Sequence, residues 1–406
     1  MTTLAVLFLI NVLNYYDRQA LGAVVEPLRH EFHLSDTQLA LIPTLFTIVY
    51  AIAGLPLGRM ADTGSRKRLL AVGVAVWAGL TAIGALAANF AMLLATRLGV
   101  GVGEAVCAPA ATSWIGDLVP AQGRARALAG FMMAVPVGVM LSLAVTGPVA
   151  QAWGWRMALA VAALPAAVLI PALFRLEEPR RDSAVGKSAS PMLLARVQAL
   201  WWIAASGALV NAILYTFSYF MPAFLTRFHG LSVGQAGLWT GIGSGVAGIL
   251  GAVGAGVFGA GRLRLAALAS LVAAPFAAAA ILLPAGRAAA ALCLAMLAYG
   301  LLQTYYGLVY SAMHDIVAPE LRGTAMSAYL MASYLGGASF GPLLTGRLSD
   351  HFARQAGPMT EAARAIGLHQ AMYVIPVLCV VLAAVLWGGA KSAQSPDSGG
   401  FDAYAS

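Results

Sequence analysis

Twelve apolar runs, each about as long as a bilayer-crossing helix, constrain this chain more than any other feature. One span takes about 20 residues. The runs fall at 4–28, 37–60, 69–88, 91–115, 125–149, 156–174, 198–222, 235–259, 265–284, 288–312, 323–346 and 368–389, separated by charges or Gly/Pro clusters. Of 406 residues, 60% are hydrophobic and 10% charged, with a mean hydropathy of +0.81; ordinary soluble domains carry about 25% charged residues. A soluble globule could not hide that much apolar surface. This excludes a cytosolic enzyme, a nucleic-acid-binding domain and a disordered chain. The expected partner is the lipid bilayer, and the expected fold is an all-α membrane protein of twelve transmembrane helices.

The longest polar break, 175–197, holds Glu177, Glu178, Arg180, Arg181 and Lys187 and divides the runs six and six. The expected organisation is a six-helix bundle over 1–176, a linker over 177–197, a second bundle over 198–390 and a disordered tail over 391–406. A second break, 347–367, carries Asp350, His351, Arg354, Glu361 and Arg364 and predicts a short surface helix. The first apolar stretch runs through Asn14-Tyr15-Tyr16-Asp17-Arg18 without a cleavage signal, so it reads as the first span. With both termini on one side, 15 of the 24 basic residues fall in loops on that side and seven in loops on the other. The positive-inside rule makes the richer side cytoplasmic. This distribution accounts for the net charge of +8 without nucleic acid. The expected location is the cell membrane, with both termini in the cytoplasm.

The halves repeat weakly. A shift of 197 aligns Asn14 with Asn211, Leu34-Ser35 with Leu231-Ser232, and Gln38 with Gln235; a shift of 198 aligns Asp117 with Asp315 and Arg124 with Arg322. Six spans is an even number, so both copies enter from one side. This predicts a parallel repeat about a pseudo-twofold axis along the membrane normal, with substrate bound near mid-membrane between the halves.

A few charges lie at depth. Asp17 and Arg18 fall near the middle of the first span and Glu104 near the middle of the fourth; Arg97 precedes Glu104 by two turns, about 10 Å nearer the far side. A charge there costs a few kcal/mol unless paired or wetted. Asp17 and Glu104 are the candidate proton carriers, with Arg18 binding an anionic headgroup and biasing the carboxylates. The bland alternative is a static buried pair that locks helix packing. Asn14 and Arg97 join the candidate substrate site, with a structural role for Arg97 equally open. From the second half come Asn211, Tyr215 and Ser218, and Tyr299, Gln303 and Tyr306, each set on one helix face. Tyr310, Tyr329 and Ser333 extend these stripes. Such stripes are more often helix–helix contacts; set against the first and fourth spans they would make a cavity charged on one wall and apolar-aromatic on the other, which suits an amphiphile. Trp153 and Trp155 read as interfacial anchors, and Met132 and Met133 as core filling that could also offer adaptable apolar surface.

Asp117 with Arg124 or Arg126, and Asp315 with Arg322, read as gate pairs at the cytoplasmic ends. Cys107, Cys293 and Cys379 lie far apart in apolar runs, as buried inert thiols. Gly186-Lys187-Ser188 imitates the end of a P-loop, but Arg181 stands where its first Gly is needed. No catalytic triad or metal-ligand cluster is legible. The expectation is therefore a non-enzymatic monomer with no cofactor and no metal, driven by an ion gradient or by the substrate's own gradient.

The loop Gly58-Arg-Met-Ala-Asp62-Thr-Gly-Ser-Arg66-Lys67-Arg68 resembles the signature loop of the major facilitator superfamily. That resemblance implies a gate in which Gly58 permits close helix approach and Asp62 pairs with a basic residue, Arg66 among them. Thr63 departs from the family's usual Arg, and the equivalent loop, Gly254 to Arg264, lacks the Asp. Within the superfamily, Asn14-Tyr15-Tyr16-Asp17-Arg18, Gly101-Val-Gly-Glu104-Ala105 and Trp153-Gly-Trp155-Arg156 resemble the spinster family; Asp117-Leu-Val-Pro120 with Arg124 and Arg126 fits as well. The resemblance implies the major facilitator fold and transport of sphingoid or lysophospholipid amphiphiles. The organic-anion:proton symporters share a first-span Asp-Arg and a fourth-span Glu. Their Glu is usually followed by Ala-Pro and an aromatic, where this chain has Ala105-Val106-Cys107.

Overall fold

Backbone amides in hydrocarbon have no water to bond, so apolar runs of this length must close their hydrogen bonds along themselves as helices. The computed structural model describes residues 2–179, 197–255, 261–317 and 322–393, with the side chains at 62, 121, 125, 323 and 324 also outside that description. Every regular element among the described residues is helical.

The helices assemble into twelve rods. The first rod is α1 (Thr3–Ala23) with α2 (Val25–Phe32), the second α3 (Asp36–Thr63), the third α4 (Arg66–Gly84). The fourth is α5 (Phe90–Glu104) with α6 (Cys107–Leu118), and the fifth is α7 (Ala121–Met132) with the first part of α8 (Ala134–Ala163). Gly154, at φ +83°, breaks α8; its remainder and α9 (Ala166–Phe174) make the sixth. The second half follows with α10 (Gln198–Arg227), α11 (Val233–Ala255), α12 (Arg262–Leu282) and α13 (Ala288–Ile316). The eleventh rod is α14 (Arg322–Ser333), a π-helical turn (Tyr334–Ala338) and α15 (Phe340–Gln355); the twelfth is α16 (Glu361–Ala371) with α17 (Val374–Ser392). Nine described stretches are apolar and long enough to cross a membrane, and one of them, Gln122–Phe174, holds two rods. The first rod falls short because Asn11, Asn14, Asp17, Arg18 and Gln19 dilute it.

The repeat is visible in the helix starts. At α3, Gln38 N–H donates to Ser35 Oγ while Ser35 N–H donates to Gln38 Oε1. At α11, Ser232 and Gln235 make the same reciprocal pair. Such capping boxes satisfy helix-end donors that lack intrahelical partners. Each start is also capped from the opposite half. Asp350 on α15 accepts from Asp36 N and Thr37 N at 3.0 and 2.9 Å, and Gln151 on α8 accepts from Gly234 N at 2.8 Å.

Three expectations change. The eleventh run does not end at 346: α15 continues to Gln355, and Asp350 is buried rather than on a surface helix. Trp155 is buried, with its indole N–H donating to Glu31, while Trp153 is exposed. Cys293 is exposed, unlike Cys107 and Cys379. Residues 180–196 of the linker, with Gly186-Lys187-Ser188, part of the Gly254–Arg264 loop, and tail residues 394–406 lie outside the described residues.

Candidate functional site

The site begins where two helices carry polar groups to mid-rod. Asp17 lies about 21 Å along α1, and Glu104 about 21 Å along α5. The α-helix stops at Glu104 and restarts at Cys107. Asn14 Nδ2 reaches the Glu104 carbonyl at this break, at 3.5 Å.

The side chains arrange themselves as Arg18, Glu104, Asp17, Arg97. Arg18 donates to Glu104 Oε2 through Nε at 3.2 Å and Nη2 at 3.1 Å, and to Asn14 Oδ1 at 3.3 Å. Arg97 Nη1 stands 3.5 Å from Asp17 Oδ2. The Thr81 hydroxyl of α4 lies 2.9 and 2.8 Å from the two Asp17 carboxylate oxygens. The two carboxyl groups also face each other. Glu104 is 0% exposed, and Asp17 and Arg97 are 2% exposed. Charges this deep persist only when paired, and here the formal charges cancel. Glu104 Oε1 and the Nε and Nη2 of Arg97 have no hydrogen-bond partner among the described residues.

Aromatic rings surround Arg18. Its guanidinium carbon is 4.4 Å from the Tyr50 ring centroid, 4.9 Å from Tyr15 and 5.4 Å from Phe46. Tyr215 of α10 faces it from the second half. Tyr334, in the π-helical turn, packs against Tyr215 and against Tyr50 at 6.4 and 5.9 Å between centroids. A small cleft lies beside this cluster, lined by Asp17, Arg18, Gln19, Thr47, Arg97 and Tyr215 among others. The second half behaves differently further from Arg18. Asn211 accepts from the Tyr306 hydroxyl at 3.3 Å. Tyr299 does not reach the cleft: it packs at a tilt against Phe217, 5.0 Å between ring centroids, and lines an apolar cavity inside the second half. Gln303 packs beside Gly248 and Gly251 of α11. Both expected cavity residues are thus internal packing residues in this conformation.

The gate residues pair otherwise than their spacing suggests. Asp117 bonds to Arg66, which also meets Glu178, the Ser113 hydroxyl and the Pro179 carbonyl. Neither Arg124 nor Arg126 takes that role; both are exposed, carried away by the turn at Val119-Pro120. Asp315 pairs with Arg262 on α12, whereas Arg322 donates to the carbonyls of His314 and Val317. Among the described residues, no heavy atom lies within 4 Å of where a Cβ on Gly58 would stand, so Gly58 makes no close approach to them in this conformation. The Asp62 side chain is outside the described residues. Burial would push the Glu178 carboxyl up, but hydrogen bonds from Ser65, from Arg66 and from the Arg66 and Lys67 backbone hold it below the usual carboxylate range.

These ion pairs near the face that carries the termini stay within one half. At the opposite face, beside pairs within the first half such as Arg156–Glu31, several cross between halves. Arg227 of α10 binds Glu26 at 2.6 Å and Asp36 at 2.7 Å. Arg29 of α2 binds Glu361 of α16 at 2.5 Å. Ser349 donates to Asp36, the Tyr219 hydroxyl to the Leu39 carbonyl, and the Thr44 hydroxyl to the Ser339 carbonyl. Sequence spacing offered no sign of this seal, nor of Thr81, Tyr50 and Tyr334. Each depends on contacts between residues more than 60 positions apart.

Residues 7–342 match the family model of the Major Facilitator Superfamily. The chain is 31% identical to an MFS-type efflux pump of Mycolicibacterium smegmatis, over 93% of this chain and 91% of that protein. It is 27% identical to Protein spinster homolog 1 of Xenopus tropicalis, over 88% of this chain and 74% of that protein. Its fold superposes on the crystal structure of a bacterial homolog of the human lysosomal transporter Spinster, in an inward-facing and occupied conformation. The TM-score there is 0.86 at 27% identity, covering 97% of this chain and 98% of that one.

Proposed function

We propose that this chain, which belongs to the Major Facilitator Superfamily, is a proton-coupled secondary transporter of amphiphiles of the sphingoid or lysophospholipid type, working by alternating access as a monomer in the cell membrane. The observation that carries this reading is the buried row Arg18–Glu104–Asp17–Arg97. Four charges cancel in it, so one added proton leaves one uncompensated positive charge. Protonating Glu104 weakens its two bonds to Arg18 and frees that guanidinium for a phosphate or carboxylate headgroup. Proton and headgroup then favour the same state, which is the differential affinity a coupled carrier needs. The aromatic surroundings of Arg18 suit the chain that follows the headgroup. The seal at one face, with none of its ties repeated among the described residues at the other, supports an opening toward the termini. By the loop charges, that face is the cytoplasmic one.

The test uses proteoliposomes and a fluorescent lysophospholipid. Uptake is expected to follow an imposed pH gradient, and Glu104→Gln and Asp17→Asn are expected to abolish that dependence without loss of expression. Full gradient dependence in both variants would overturn the coupling. A second reading, export of drug-like or organic-anion substrates, is favoured by the likeness to the efflux pump. A thermal-shift screen of lysolipids, sphingoid bases and organic acids at two pH values separates the two, because a bound ligand raises apparent stability.

A further inference from the structure

α4 contributes two small residues to the charged row, and neither belongs to any motif. Thr81 is 0% exposed and makes the shortest polar contacts of Asp17, at 2.8 and 2.9 Å, against 3.5 Å for Arg97. Gly84 lies one turn further on. A Cβ there would stand 3.0 Å from Arg97 Nη2 and 3.0 Å from Thr96 Oγ1. α4 thus holds the carboxylate with one residue and leaves room for the guanidinium with the other. We infer that Thr81 is a positioning residue that sets how readily Asp17 takes up a proton, and that Gly84 keeps open the place from which Arg97 opposes it.

A hydroxyl both donates and accepts, whereas a guanidinium only donates. Thr81 can donate to ionised Asp17 and accept from the neutral acid, so Asp17 is never left buried and unpartnered, a state that costs free energy. A bond to an ionised acceptor is about twice as strong as one between neutral groups, so Thr81 favours the ionised form. Arg97 acts in the same direction by charge. The other group facing Asp17 is Glu104 on α5, which Arg18 of α1 holds from its far side. Tyr16 is adjacent, but its hydroxyl is turned to Thr146 of α8; Tyr215 and Tyr219 of α10 line the neighbouring cleft.

This inference rests on the reading of Asp17 as a proton carrier, but its test does not need transport. Infrared difference spectra of the purified full chain, titrated in detergent, read carboxyl protonation directly, and Asp17→Asn assigns the Asp17 band. Thr81→Val is expected to move the titration of that band to higher pH by about one unit, the size of one charge-assisted hydrogen bond. Thr81→Ser should restore the wild-type midpoint, and Gly84→Ala should shift it the same way as Thr81→Val by crowding Arg97. Thermal melting checks that each variant is folded. A Thr81→Val curve superimposed on wild type, or an Asp17 band that never titrates, overturns the inference. If the band shifts as expected while wild-type uptake ignores pH, the inference stands and proton coupling fails.

Discussion

Arg18 is held by a two-pronged bond to one carboxylate oxygen and by three rings. A lysine keeps the charge but loses the planar fork and its stacking. Arg18→Lys is therefore expected to weaken binding of an anionic lysophospholipid by about tenfold or more, the loss of one charged hydrogen bond. Fluorescence titration of the purified variant measures this. Equal affinity in the two proteins would mean that charge alone suffices. At this scale the sequence revealed which residues were out of place but not how they pair. Asp17 and Arg18 are neighbours, yet consecutive helix positions do not face each other, so each finds its partner on α5. The same limit explains why Asp117 goes to Arg66 and Asp315 to Arg262. Spacing along the chain says little about which side chain a third helix brings near.

Helix ends were more legible. Ser35 with Gln38 and Ser232 with Gln235 stand three apart at the start of apolar runs, and both become capping boxes. The start of α4 is less local. Glu178, more than a hundred residues away, accepts from the Ser65 hydroxyl and from the Arg66 and Lys67 backbone N–H groups. Its carboxyl is held below the usual range in the folded protein. The stabilisation is therefore complete above the unfolded-state value and is lost as the pH falls through the depressed one. Glu178→Gln is expected to cost about 1 kcal/mol, the range of a lost cap. It should also flatten the acid limb of thermal stability. Melting temperatures of both proteins across a falling pH series check this; parallel acid limbs would rule out the cap as their source. The Asp350 and Gln151 caps escaped the sequence for the same reason as Glu178. Each needs a helix of the opposite half beside it.

For the whole molecule, twelve spans, the division into two sets of six and the repeat were all present in hydropathy and register, because bilayer thickness dictates length and an even span count dictates a parallel copy. Which face is shut was not. That depends on long-range ties such as Arg227 with Glu26 and Asp36. Removing one partner of a buried pair costs about 3–5 kcal/mol, enough to move a two-state equilibrium by two or more decades. Arg227→Gln should therefore open the sealed face. Spin labels at the exposed His30 and His351, one on each half, are expected to show a longer distance in the variant. An unchanged distribution would assign closure to the apolar and backbone contacts.

Two of the crossings between the halves are built from unlike materials. On one flank, α8 and α11 meet through glycine: a Cβ on Gly147 would stand 2.9 Å from the Cα of Gly237. On the other, α3 and α15 are clasped by Asp36, Ser349 and Asp350. Smooth backbone can roll with only the neutral Gln151–Gly234 cap to let go, whereas a charged clasp has to release. The halves are thus joined as a door is, with a pivot along one edge and a bolt along the other, and the swing will be lopsided despite the near-symmetry of the frame.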